Sequence, residues 1–134
     1  MTEATILVAG AGPAGMLAAL AVAAEGFPVA LVGPTPSLED RRTTALMLPS
    51  LALLDRLGVL ARLEAQSAEL RTMRIIDATS RLVRAPTVTF RASEIGERLF
   101  GLNVPNRTML ESLLDAVAAT PAISRHEGLL VDIE

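Results

Sequence analysis

The chain has 134 residues, enough for one domain with a hydrophobic core. A net charge of −3 and the absence of Trp and Tyr argue against a nucleic-acid-binding surface. The chain contains no Cys, which excludes disulfides, thiolate chemistry and cysteine zinc sites, and His126 is the only His, which excludes a His-rich metal site.

The amino-terminal pattern predicts a βαβ unit. The apolar residues 5–11 predict a buried strand, and the Ala- and Leu-rich residues 13–26 predict a helix with Pro13 in its first turn and Gly26 at its end. Residues 28–33 predict a second buried strand. Because the connections are short, we expect the two strands to be parallel with a right-handed crossover.

The middle of the chain departs from this alternation. Residues 34–46 form a connection rich in Pro, Thr and charge, and a second helix, ending at Gly58, and a short helix over 59–70 are expected to follow. The apolar face of the second helix consists of Leu51, Leu54 and Leu57. Residues 71–90 alternate and contain many β-branched residues, which predicts an antiparallel hairpin.

The last third of the chain predicts one helix and two strands. The helix covers residues 106–120, with Asn106 as its N-cap. Its apolar face is formed by Met109, Leu110, Leu113, Leu114 and Val117. Residues 122–128 and 129–134 predict the strands.

The loop between the first strand and helix has the pattern Gly-x-Gly-x-x-Gly, at Gly10, Gly12 and Gly15. The first glycine permits the tight turn, the second lets the backbone approach a pyrophosphate, and the third lets the helix pack close to the strand. The helix amino terminus then offers free N–H groups to the phosphates. A strand before the loop and a strand after the helix make nucleotide binding the favoured interpretation.

The second half of this fingerprint is missing. A carboxylate is expected at the end of the second strand to hold the ribose, but Gly33 stands there. Glu39 and Asp40 are near in sequence, although nothing in the spacing places them at the ribose. NADP is an alternative ligand, because Arg41 and Arg42 follow the strand, but they follow it at a distance.

Three segments carry a specific resemblance: "ILVAGAGPAGMLAALAVAAEGFPVALV", "EDRRTTALMLPSLALLDRLGVL" and "FGLNVPNRTMLESLLDAV". Together they resemble the amino-terminal part of the flavin-dependent aromatic hydroxylases, and most closely the ubiquinone-biosynthesis branch of the 2-octaprenyl-methoxyphenol hydroxylase type. The similarity spans nearly the whole chain.

The resemblance implies FAD as cofactor, NADPH or NADH as reductant and a small aromatic substrate. It also implies that Arg42 lies near the flavin side of FAD and that Arg107 approaches the cofactor from the start of its helix. The residues implied to line the pyrophosphate are Gly10, Gly12, Pro13, Ala14 and Gly15. An ion pair between Arg107 and Glu111 is the alternative for that arginine, and Arg41 is expected to face solvent.

The expected fold class is α/β, a Rossmann-like βαβ FAD/NAD(P)-binding fold whose parallel sheet carries an inserted antiparallel hairpin. Residues 1–134 are expected to be an amino-terminal FAD-binding domain fragment, in which residues 70–100 belong to a substrate-domain sheet. The family's Asp-Gly and Gly-Asp segments are absent from the sequence. We therefore expect a truncated domain that binds FAD weakly or remains apo and is inactive alone.

Two other functions remain open at this point: a stand-alone NAD(P)-binding Rossmann module and a truncated, non-catalytic protein. Apolar surface left by missing parts would favour a homodimer. Glu3 without a preceding Lys or Arg, and the glycine loop inside the apolar stretch, argue against a signal peptide or membrane helix. A cytoplasmic protein without a membrane span is expected.

Overall fold

The computed structural model describes residues 6–132. Within them lie eight strands, four α-helices and a 3-10 turn over Ala92–Ile95. In chain order the elements are β1 Ile6–Ala9, α1 Pro13–Ala24, β2 Val29–Val32, β3 Thr43–Met47, α2 Leu48–Arg56, α3 Leu60–Glu64, β4 Ala68–Leu70, β5 Thr72–Ile75, β6 Val88–Arg91, β7 Gly101–Pro105, α4 Asn106–Ala118 and β8 Ile123–His126.

A parallel sheet in the order β1-β2-β8 forms the base of the fold, and the predicted βαβ unit is confirmed. Val29 is the central position, since it pairs with Ile6 on one side and with Ile123 on the other. Helix α1 packs on this sheet and on α4, and it buries Met16, Ala19 and Leu20. Residue 5, where the first strand was predicted to begin, lies outside the described residues.

A second, antiparallel sheet has the order β3-β7-β4, and its strands come between β2 and β8 along the chain. None of these three strands was predicted. The predicted connection 34–46 contains most of β3. The Gly, Asn and Pro of β7 are typical of a turn, but this strand is the central one and pairs with both neighbours. A Cβ atom on Gly101 would lie 2.1 Å from the Leu46 carbonyl oxygen, so the close approach of β3 requires this glycine.

The middle helices follow the predicted faces but not every predicted boundary. In α2, Leu51 and Leu54 are buried, and the chain leaves the helix at Gly58 with a left-handed φ of 70°. The helix predicted over 59–70 is wrong in length: α3 covers only Leu60–Glu64, because residues 68–70 pair with β7 instead.

The helix predicted over 106–120 is confirmed as α4, although it ends at Ala118, and its buried residues include Met109, Leu110, Leu113 and Val117. The N-cap assignment of Asn106 is wrong. Pro105 occupies the N-cap position, and Asn106 is the first helical residue. The physical reason is that the Asn106 side chain is engaged in long-range hydrogen bonds rather than in capping its own helix.

The predicted hairpin is present as the antiparallel pair β5–β6. One face of this pair is apolar and exposed, and it consists of Met73, Ile75, Val88 and Phe90. The strand predicted over 122–128 is confirmed as β8. The strand predicted over 129–134 is wrong for residues 129–132, which form no ladder, and residues 133–134 lie outside the described part.

Candidate cofactor site

The glycine loop turns the chain from the carboxyl end of β1 directly into α1. Gly10 has a φ of 111°, a left-handed conformation that favours glycine, and its N–H donates to the Val32 carbonyl oxygen at 2.7 Å. The Met16 N–H donates to the Gly12 carbonyl oxygen at 2.9 Å, which begins the helix.

Gly15 permits the predicted close approach of the helix to the loop. A Cβ atom at this position would lie 1.7 Å from the carbonyl oxygen of Gly10 and 2.8 Å from its carbonyl carbon. Both obstructing atoms belong to the backbone, which cannot move aside as a flexible side chain could. Any residue larger than glycine would therefore push α1 away from β1.

The amino terminus of α1 fits a pyrophosphate group. Gly12 is its N-cap and forms no side-chain cap, and no acidic residue lies in the first turn. The N–H groups of Ala14 and Gly15, in that turn, lack the partners that a helix provides further on, and the helix dipole adds partial positive charge. A Cβ atom on Gly12 would meet nothing within 4 Å, so the backbone there is open to a ligand.

Gly33 packs directly on the glycine loop. A Cβ atom at Gly33 would lie 2.5 Å from the Ala11 backbone nitrogen and 2.9 Å from the Ala11 Cβ. The position that lacks the expected ribose carboxylate therefore has no room for any side chain. The missing carboxylate is a consequence of how tightly β2 and the loop approach each other.

A network of hydrogen bonds joins the segment after β2 to the start of α4. Asp40 accepts from Arg42 Nε and Nη2 at 2.9 and 2.8 Å and from Asn106 Nδ2 at 2.8 Å. Thr44 Oγ1 donates to Asn106 Oδ1 at 2.6 Å, and the Asn106 N–H donates to the Arg42 carbonyl oxygen at 2.9 Å. The network fixes Arg42 relative to the helix that carries Arg107.

The same hydrogen bonds decide the charge of Asp40. Donation from the Arg42 side chain, then from Asn106 and from the Arg42 backbone N–H, holds the pKa of Asp40 far below its ordinary value. In return, Asp40 raises the pKa of Arg42. Both groups therefore stay charged over the whole physiological range of pH.

Two adjoining clefts contain the arginines that the sequence singled out. A cleft of about 660 Å³ is lined by Arg42, Arg107 and Pro105, among others. A second cleft, of about 470 Å³, is lined by Arg42, Asn106 and Pro13. Arg42 lies on both clefts, so it connects the surroundings of Arg107 with the first turn of α1.

The arginine side chains themselves are exposed: 83% of the Arg42 side chain and 66% of the Arg107 side chain is accessible. Arg107 Nε donates to Glu111 Oε1 at 2.9 Å, the ion pair that the sequence offered as an alternative, and this raises the pKa of Arg107. Arg41 is exposed, as predicted. The cofactor contacts of Arg42 and Arg107 stay predictions.

Sequence reasoning missed the part that Asp40, Asn106 and Thr44 play together. Asp40 was considered as a distant source of the ribose carboxylate, but its oxygens face Arg42 and Asn106 instead. Only the proximity of β3 to β7 brings these residues together, and the missed strands concealed it.

Residues 3–124 match the model of a protein family described as FAD binding domain. The chain belongs to this family. FAD is its cofactor, and the glycine-lined terminus of α1 has the donor groups that a dinucleotide pyrophosphate requires. No curated protein matches the sequence.

Solved structures of the same fold include p-nitrophenol 4-monooxygenase PnpA from Pseudomonas putida DLL-E4, with a TM-score of 0.69 and 18% identity over 92% of this chain and 31% of that one. The flavin-dependent monooxygenase PieE, solved with FAD and substrate, has a TM-score of 0.69 and 22% identity over 92% of this chain and 23% of that one. A flavoprotein/dehydrogenase from Cytophaga hutchinsonii has a TM-score of 0.68 and 23% identity, over 91% of this chain and 29% of that one.

These likenesses establish the α/β fold of a flavoprotein FAD-binding domain. The chain spans less than a third of the length of these three structures. Within residues 6–132, no helix combines the length and the apolarity needed to span a bilayer.

Proposed function

We propose that the chain is the FAD-binding portion of a flavoprotein monooxygenase that uses NADPH or NADH to hydroxylate an aromatic ring. The observation that carries this proposal is the placement of Arg42 on two clefts, one shared with Pro13 of the glycine-loop helix and the other with Arg107. The fold shared with p-nitrophenol 4-monooxygenase and with PieE supports it.

The residues of the loop and of α1 have distinct tasks in this proposal. The N–H groups of Ala14 and Gly15 hold the pyrophosphate, and Gly10 and Gly12 keep the backbone open to it. Pro13 fixes the first turn at no cost in hydrogen bonds, because an N–H at this position has no partner in a helix. Bound FAD would supply the redox chemistry at this site: two electrons from NADPH or NADH and one O₂ would give the hydroxylated ring and one water molecule.

In this proposal the two arginines bind the cofactor through their positive charge and through directional hydrogen bonds. Arg42 lies near the flavin side and is held in place by Asp40, while Arg107 reaches the cofactor from the first turn of α4. A planar guanidinium suits phosphate and carbonyl oxygens, since it donates two parallel hydrogen bonds. The ion pair with Glu111 keeps Arg107 near its cleft until FAD competes for it.

A ubiquinone precursor is the proposed ring substrate, on the resemblance of the segments around Arg42 and Arg107. We propose further that residues 70–100 belong to a substrate-domain sheet, which is supported by the exposed apolar face of β5–β6. On this proposal the chain alone is inactive and binds FAD weakly. Self-association through the apolar face of β5–β6 would then bury that face. We propose the cytoplasm as the location of the reaction.

A stand-alone NAD(P)-binding module is the weaker candidate. Such a module would continue the βαβ series after β2, whereas β2 is followed here by β3, an antiparallel partner of β7. The family match to an FAD-binding domain also favours the flavin.

Cofactor choice is tested by titrating the purified chain with FAD, NAD and NADP while following flavin fluorescence and thermal unfolding. We expect FAD alone to raise the unfolding temperature, and only at concentrations well above that of the protein. A larger stabilisation by NAD or NADP would overturn the assignment. Tight, stoichiometric FAD would contradict the weak binding proposed for the isolated chain.

Hydroxylation is tested on the product of the complete reading frame that contains these residues. With FAD, NADPH and phenolic rings, including a prenylated methoxyphenol, we expect substrate-stimulated NADPH oxidation and one oxygen atom from O₂ in the product. Oxidation of the substrate without oxygen incorporation would exclude a monooxygenase. Incorporation with simple phenols alone would exclude the ubiquinone branch.

A further inference from the structure

The carboxyl end of β8 lies beside the glycine that interrupts the nucleotide fingerprint. Val32 pairs with His126 in the parallel ladder between β2 and β8, and the Gly33 N–H donates to the His126 carbonyl oxygen at 3.1 Å. Continuing this register by one position places Glu127 next to Gly33. A carboxylate therefore follows the neighbouring strand where β2 itself has none.

Glu127 belongs to a small polar cluster that the assigned function does not use. The Thr35 hydroxyl donates to Glu127 Oε1, and Arg125 Nη2 donates to Thr35 Oγ1 at 2.6 Å. Arg125 Nη2 also lies 3.6 Å from Glu127 Oε1. The Arg125 side chain is 29% exposed and that of Glu127 is 70% exposed, so the carboxylate is held through Oε1 and remains open to further partners.

The cluster lies at the ligand-binding edge of the sheet. In open α/β sheets, ligands bind outside the carboxyl ends of the parallel strands. The glycine loop leaves β1 at this edge, and Gly33 at the end of β2 touches Ala11 of that loop. A cofactor whose pyrophosphate rests on α1 extends its adenosine along the same edge, past the end of β2.

We propose that Glu127 supplies the carboxylate that accepts hydrogen bonds from the ribose hydroxyls of the adenosine half of FAD. The inference rests on FAD as the cofactor of this domain. Gly33 cannot carry that carboxylate, because its Cβ position is blocked by Ala11. The chain supplies the group from β8 instead, and Arg125 and Thr35 act as positioning residues for it.

The test compares ADP with 2′,3′-dideoxy-ADP, each displacing FAD from the purified chain, in the wild type and in Glu127→Gln. In the wild type, we expect ADP to bind roughly tenfold more tightly than the dideoxy nucleotide, since a charged acceptor bonds both hydroxyls. Glu127→Gln keeps only a neutral acceptor, so it should reduce this preference for ADP and weaken FAD binding, with an unchanged unfolding temperature. Glu25→Gln, an exposed glutamate at the end of α1 remote from this edge, is the matched control.

The outcomes separate the inference from the function on which it rests. Failure of the wild type to bind FAD even at concentrations far above that of the protein would overturn the weak binding expected from the proposed function, and the inference with it. FAD binding without a preference for the ribose hydroxyls, or a preference that is undiminished in Glu127→Gln, would overturn the inference alone. Tighter binding of adenosine 2′,5′-bisphosphate than of AMP would also overturn it, because Arg125 would then serve a 2′-phosphate. The wild-type comparison needs no variant, so a folding defect in Glu127→Gln leaves the proposal testable.

Discussion

The side-chain amide of Asn106 donates to the carboxylate of Asp40 at 2.8 Å, between the first residue of α4 and the segment that follows β2. The same carboxylate accepts from Arg42, so one acidic group both holds the Arg42 side chain and joins its segment to the start of α4. The position of the proposed flavin-side arginine therefore depends on a residue outside the glycine loop.

Replacing Asp40 by Asn tests this network through the pH dependence of stability. The pKa of Asp40 is lower in the folded than in the unfolded chain, so its contribution is present above about pH 4 and is lost as the pH falls below that value. We expect Asp40→Asn to be less stable than the wild type at pH 7 and the difference to shrink towards pH 2. Urea unfolding followed by circular dichroism at both pH values measures it.

Glu69 and Asp77 also have lowered pKa values, from donation by Arg98 and by the Ala85 N–H respectively, but they are present in both proteins and cancel in the comparison. Glu39→Gln removes a neighbouring charge outside the network and is expected to keep wild-type stability at pH 7. A constant difference between wild type and Asp40→Asn from pH 7 to pH 2 would contradict the prediction.

Gly15→Ala and Gly12→Ala are expected to separate folding from cofactor binding. Alanine at position 15 collides with the Gly10 backbone, which should lower the free energy of unfolding by about 1–3 kcal/mol or more and reduce FAD binding. Alanine at position 12 meets no protein atom, so stability should change by less than about 0.5 kcal/mol. FAD affinity should nevertheless fall, because the methyl group stands where the pyrophosphate approaches. Equal stability of all three proteins would show that the helix is not held at contact distance.

Gly33→Ala and Gly33→Glu are expected to lower the unfolding temperature to a similar extent, by about 5 °C or more, because the obstruction by Ala11 begins at Cβ. Thermal unfolding followed by circular dichroism measures the shift. Gly33→Glu should gain no FAD affinity despite its restored carboxylate. Tighter FAD binding with an unchanged unfolding temperature would mean that β2 can carry the ribose ligand.

The roles open to Arg107 are distinguished by comparison with its partner. Arg107→Gln should weaken FAD binding roughly tenfold, because it removes a charged donor. Glu111→Gln breaks the same ion pair but frees the guanidinium, so FAD affinity should stay equal or increase. Fluorescence titration of both variants supplies the measurement. Identical behaviour of the two variants would assign Arg107 to the ion pair alone.

The apolar face of β5–β6 is expected to make the chain self-associate. Ile75→Lys places a charge on this face and should shift the chain towards monomer, whereas Thr72→Lys places the same charge on the exposed opposite face and should not. Size-exclusion chromatography with light scattering, over a range of concentrations, measures the change in mass. An equal effect of both variants would exclude a specific role for the face.

Local signals predicted much of the fold correctly. The βαβ unit could be predicted from Pro13, from the glycines on either side of α1 and from two short apolar runs, because each of these signals influences only the backbone within a few residues of itself. Strands β3 and β7 could not, since Gly101 and Pro105 are typical of turns and only pairing across the sheet makes their segment a strand. Strand β4 was absorbed into a predicted helix for the same reason.

The candidate site likewise has a part that sequence predicts and a part that depends on long-range contacts. The glycine loop is a contiguous motif, and Arg42 and Arg107, chosen from separate segments, do line one cleft. The bond from Asn106 to Asp40 spans 66 positions, and neither residue alone indicates the other. The steric reason for Gly33 could not be predicted either, since the sequence shows a missing side chain but not the Ala11 atoms that exclude one.

The pairing of Val29 with both Ile6 and Ile123 has a consequence for how the protein folds. We expect β1 to pair with β2 early, because only α1 separates them along the chain. Strand β8 lies far from β2 in sequence, so we expect it to pair only after the intervening chain has collapsed. Until then, the outer edge of β2 offers unpaired N–H and C=O groups to any other strand. We therefore expect the β2–β8 pairing to form late, and the chain to be most open to strand association before it forms.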